Sequence, residues 1–110
     1  AHNEAGLKQV FAAVQDMPYP RVHIVTGFVN DKDVDKVLPL FPRQARYYFA
    51  KADIPRGLEA TLLQEKAARF GLEGKAYISV RNALNAARRA AKPEDLILVT
   101  GSIFVVAEVI

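Results

Sequence analysis

The run Val22-His23-Ile24-Val25-Thr26-Gly27-Phe28-Val29 decides the fold. It is almost continuously apolar and rich in β-branched residues, the pattern of a strand covered on both faces in a parallel sheet. On its amino-terminal side, Leu7, Val10, Phe11 and Val14 recur at i, i+3, i+4 and i+7, which predicts an amphipathic helix. Asn3 is placed to cap that helix, Glu4 suits the positive end of its dipole, and Pro18 and Pro20 end it. On the carboxyl side, Asn30-Asp31-Lys32-Asp33 reads as a polar turn, and Val34, Val37 and Leu38 as a short helix that stops before Pro39 and Pro42.

Arg46-Tyr47-Tyr48-Phe49-Ala50 gives a second strand, and Lys51 to Gly57 a loop by its proline, glycine and charges. A third helix is expected from Glu59 to Phe70, with Leu62, Leu63, Ala67 and Phe70 inward and Gly71 as its carboxyl cap. Ala76-Tyr77-Ile78 follows as a short strand. Ser79 then caps a helix carrying Val80, Ala83, Leu84 and Ala87, and Pro93 marks that helix's end. Asp95-Leu96-Ile97-Leu98-Val99 is the last clear strand. Ile103 to Ile110 is β-branched, yet Ile103, Val106, Ala107 and Ile110 keep helical spacing behind a possible Ser102 cap, so this end is read as a helix.

Helix and strand alternate throughout, which implies parallel strands joined by right-handed crossovers with helices on both faces. The expected fold class is therefore α/β: a three-layer α/β/α, Rossmann-like domain with a mostly parallel sheet. A chain of 110 residues with 51% hydrophobic content fits one domain, residues 1–110, around one core. There is no internal repeat and no low-complexity segment.

Composition narrows the function. The formal charge of +3 comes from Lys and Arg interleaved with Asp and Glu, so no nucleic-acid footprint is indicated. The absence of cysteine excludes a disulfide framework and any thiolate metal site, and two histidines make a poor basis for a zinc site. No apolar run approaches the roughly 20 residues of a membrane helix, and no signal segment opens the chain, so no membrane partner and a cytoplasmic location are expected. The chain opens on Ala1-His2-Asn3 without an initiator methionine and closes on apolar residues. It is expected to be a piece of a longer protein.

Ligands of open α/β sheets bind beyond the carboxyl ends of the strands. The residues there are Asn30 to Asp33, Lys51 to Gly57, Ser79 and Thr100-Gly101-Ser102. Gly101 allows close backbone approach and Ser102 adds a hydroxyl at a helix start, a combination suited to a carboxylate or phosphate and equally to a plain cap. Lys32 could pair with a ligand carboxylate or only with Asp31 and Asp33. Arg56 could make a bidentate anion contact or close its loop. His2 could donate to an anion, whereas His23, inside an apolar strand, reads as structural. Neither G-x-G-x-x-G nor G-x-x-x-x-G-K-[ST] occurs. If ATP is used, another domain must cradle its phosphates.

Ala1-His2-Asn3, Gly27-Phe28-Val29-Asn30-Asp31-Lys32-Asp33, Ile54-Pro55-Arg56-Gly57-Leu58 and Val99-Thr100-Gly101-Ser102-Ile103-Phe104 together resemble the C-terminal domain of folylpolyglutamate synthase/dihydrofolate synthase, in the Mur ligase superfamily. The resemblance spans essentially the whole chain in order. It implies a parent enzyme that uses ATP and Mg2+ to activate a carboxylate of folate or dihydropteroate as an acyl phosphate, which the amine of L-glutamate then attacks. It further implies that an N-terminal ATPase domain of the same polypeptide holds the nucleotide and metal, so this piece carries no catalytic or metal-ligating residue and is inactive when isolated.

By the same resemblance His2, Lys32 and Ser102 bind glutamate, and Asn3 supports the turn facing ATP. The motif aspartate expected ahead of Ala-His-Asn is absent from this chain. Two rivals remain: a Mur peptidoglycan ligase with a UDP-linked acceptor, and a non-catalytic α/β interaction or receiver-like domain. The Asp31-Lys32-Asp33 turn and Thr100-Gly101-Ser102 favour the folate branch over the first. Against a receiver, the Val22 run ends in Asn30 and Asp31 without an acidic cluster.

Overall fold

A computed structural model describes residues 4–29, 34–55 and 57–101. Its elements alternate as expected: α1 (Glu4–Gln15), β1 (Val22–Gly27), α2 (Val34–Val37) running into a short 3-10 turn (Leu38–Leu40), β2 (Arg46–Ala50), α3 (Ala60–Ala68), β3 (Gly74–Tyr77), α4 (Val80–Ala90) and β4 (Leu96–Gly101). The strands form one sheet in the order β3-β2-β1-β4, and every pairing is parallel. Pro39 lies within the 3-10 turn instead of beyond the helix; its fixed φ suits the start of that turn.

β1 sits between β2 and β4 with a buried layer on each face, which explains its nearly continuous apolar run. Ile24 joins one buried cluster with Leu7 and Phe11 of α1, Phe28, Phe41, Tyr47, Phe49 and Leu63 of α3. Val25 joins the other, with Tyr48, Ala50 and Val80, Ala83 and Ala87 of α4. Side chains alternate across a strand, so neighbouring residues of β1 and β2 supply opposite layers. The three-layer α/β/α expectation is met, with α1, α2 and α3 on one face and α4 on the other. That division suits right-handed crossovers running one way from β1 to β3 and back to β4.

Local chemistry sets the boundaries. α3 ends in a Schellman motif: Leu72 N–H donates to the Ala67 carbonyl at 3.1 Å, Gly71 N–H to Ala68 at 3.1 Å, and Gly71 takes φ +79°. Ser79 caps α4, its Oγ accepting from Asn82 N–H at 3.0 Å.

Three expectations are corrected. Leu62 is 40% exposed: Ala60, Leu63 and Ala67 make the inward stripe of α3, and Leu62 lies beside that stripe instead of within it. β3 begins at Gly74 and pairs with β2 only as far as Ala50↔Tyr77, so Ile78 falls past the sheet and is 84% exposed. Thr100 and Gly101 are not a turn after β4 but its last residues, paired with Thr26 and Gly27. The expected helix at 103–110 lies outside the described residues.

Candidate functional site at the carboxyl ends of the strands

From β1 the chain steps outward to β2 and β3, then crosses back to β4 on the other side of β1. The connections diverge between β1 and β4, and this is where open α/β sheets leave a ligand crevice. At this edge lies the in-register pair Gly27↔Gly101, with Thr26↔Thr100 one residue before it. Gly101 has φ +132°, a conformation few side chains adopt. A Cβ there would strike the Gly27 carbonyl and stand 3.0 Å from Thr26 Oγ1. The backbones of β1 and β4 therefore meet at the crevice with no side chain between them.

Thr26 and Thr100 are buried. Thr26 Oγ1 has no hydrogen-bond partner among the described residues. Beyond Gly27, the Phe28 carbonyl accepts from Leu58 N–H at 2.9 Å, fastening the segment after β1 to the start of the α3 region. A short link joins Gln15 to Val22, so α1 doubles back along β1 and its first turn lies toward this same edge.

The residues expected to carry the chemistry, His2, Asn3, Lys32, Arg56 and Ser102, all lie outside the described residues. Their covalent neighbours are described. His2 and Asn3 lead directly into α1, Lys32 lies in the connection between β1 and α2, and Ser102 directly follows Gly101.

A concavity of about 560 Å³ opens at the carboxyl ends of β2 and β3 between Lys51, Asp53, Ile54, Ile78, Ser79 and Arg81. Lys51 Nζ is already 3.1 Å from Glu59 Oε1. Sequence reasoning missed Arg81, whose signal was a cation in the first turn after a capping serine. Among the described residues no three His, Asp or Glu gather as they would to hold a metal ion.

The opposite end of the sheet holds a buried polar cluster. His23, read as structural, lies 2.8 Å through Nδ1 from the Tyr48 hydroxyl and 3.0 Å through Nε2 from Asp95 Oδ2. The Lys92 N–H bond, followed by His23, holds the Asp95 carboxyl below the ordinary carboxylate value. Burial, then Tyr77, pushes the Tyr48 phenol up. This cluster is remote from the crevice and fastens the strands.

The all-parallel sheet, with its strand order reversing between β1 and β4, defines a doubly wound α/β domain. The chain belongs to the family described as Mur ligase, glutamate ligase domain, whose model matches residues 1–103.

Among its relatives, it is 37% identical over 98% of its length to the Haloferax volcanii "Probable bifunctional folylpolyglutamate synthase/dihydropteroate synthase", and 34% identical over 99% to the Escherichia coli dihydrofolate synthase/folylpolyglutamate synthase. It spans 13% and 25% of those two proteins. The solved structure of E. coli FolC in complex with DHPP and ADP superposes with a TM-score of 0.86 at 34% identity, over 99% of this chain and 26% of that one. A bifunctional folylpolyglutamate synthase/dihydrofolate synthase solved with Mn, AMPPNP and L-glutamate bound gives 0.81 at 28% identity, over 99% and 26%. The resemblance first seen in four short motifs thus extends to the whole domain.

Proposed function

We propose that residues 1–110 form the C-terminal, glutamate-binding domain of an ATP-dependent folate-glutamate ligase. The observation that carries the reading is the Gly27↔Gly101 pair at the strand reversal, from which the chain runs on one side toward Lys32 and on the other into Ser102. An amino-acid dicarboxylate needs cationic and N–H or O–H donors at such an edge, and Lys32, Ser102 and His2 supply them. Asn3 supports the nucleotide-facing turn, and Arg56 adds a further anion contact.

ATP supplies the phosphoryl group that activates the folate or dihydropteroate carboxylate. Its phosphates and Mg2+ are assigned to a larger preceding domain, since this sequence has no phosphate-binding loop. This domain's share is to hold L-glutamate with its amine facing the activated carbonyl. The nitrogen lone pair attacks that carbon, a C–N bond forms, the bond to phosphate oxygen breaks, and the amine proton passes to solvent. Fixing the reactants in one geometry is a large catalytic contribution in itself.

The test is phosphate release by the full-length ligase. It should require ATP, L-glutamate and a folate or pteroate acceptor together. Release that is indifferent to L-glutamate would refute the assignment.

A further inference from the structure

Thr26 is the one hydroxyl in β1, Val22–Gly27, and lies in the otherwise apolar stretch from Ile24 to Phe28. It is completely buried, and its Oγ1 has no hydrogen-bond partner among the described residues. Buried hydroxyls are nearly always bonded, and exceptions mark stored strain or function. Packing alone would be served as well by valine, which has the same shape and is frequent in these strands. The position is also particular: Thr26 precedes the last residue of β1, and its oxygen lies 3.0 Å from where a side chain at Gly101 would begin. The hydroxyl therefore borders the bare backbone at the end of β4.

We propose that Thr26 is a positioning residue for the amino-acid substrate: in the glutamate-bound ligase its unmet hydroxyl bonds the bare backbone at Gly101 and holds the end of β4 beside the substrate carboxylate. It acts through the backbone at Gly101 and does not touch the substrate. The inference rests on the glutamate-ligase reading above.

Thr26→Val and Thr26→Ser in the full-length ligase test it, by L-glutamate KM and kcat and by thermal unfolding without glutamate. Thr26→Val should melt no lower than the parent, because it removes an unmet buried polar group. Its L-glutamate KM should rise roughly three- to tenfold, the range one hydrogen bond supports, with kcat nearly unchanged. Thr26→Ser should keep the parental KM. An unchanged KM in Thr26→Val, or a lower melting temperature in that variant, would overturn the proposal and give the hydroxyl a purely structural role. A parent whose turnover ignores L-glutamate would instead refute the ligase reading, and the proposal with it.

Discussion

His23 Nε2 stands 3.0 Å from Asp95 Oδ2 while Nδ1 stands 2.8 Å from the Tyr48 hydroxyl, so one buried imidazole ties the central strand to elements on both sides. In the neutral imidazole tautomer that donates from Nε2 to an ionised Asp95, Nδ1 accepts from the Tyr48 hydroxyl. Asp95 also accepts from Lys92 N–H at 3.0 Å, which closes the turn leading into β4.

A pH dependence follows from the lowered Asp95 pKa. A carboxyl held below its ordinary value of 3.8 contributes stability above that value and loses it as pH falls through the lowered one. Urea unfolding of the chain should therefore show stability declining with acid below about pH 4. Asp95→Asn should be less stable at pH 7 and show a shallower acid decline. Parallel curves for the two proteins would contradict the role given to Asp95.

Gly101→Ala should be destabilising, by about 1–3 kcal/mol, because the new Cβ meets the Gly27 carbonyl at a φ that disfavours side chains. Denaturant unfolding measures this. A loss below about 0.5 kcal/mol, the ordinary range for surface changes, would mean that β1 and β4 do not close on each other as described.

Adjacent leucines on α3 should differ sharply. Leu63 is fully buried, so Leu63→Ala should cost about 2–5 kcal/mol. Leu62, 40% exposed, should lose far less on the same change. Equal losses in thermal melts of the two variants would show that α3 is rotated from the orientation described.

That pair shows where sequence reading reached its limit. The apolar run from Val22, the Gly71 cap and the Ser79 cap each carry a local physical cause, and each reappears in the fold, although the strand stops at Gly27 and leaves Phe28 and Val29 beyond it. The orientation of α3 does not, because Leu62 and Leu63 are equally apolar and only packing against β2 and β3 separates them. Ile78 looked like strand because it is β-branched, yet pairing stops where β2 stops. Thr100-Gly101 looked like a turn because glycine commonly breaks strands, whereas here they continue β4 in register with Thr26 and Gly27 of β1. The candidate anion-binding residues were visible as motifs after strands. Thr26 was not, since a hydroxyl inside an apolar run reads as ordinary β-propensity until its partners are sought.

The most direct test of the central claim is the L-glutamate KM of the full-length ligase carrying Lys32→Ala or Ser102→Ala. Each lost charge-assisted contact is worth about 1.5–3 kcal/mol, so KM should rise roughly tenfold or more in each variant, with the KM for ATP little changed. An unchanged L-glutamate KM in both would contradict the placement of the glutamate site at the β1–β4 crevice.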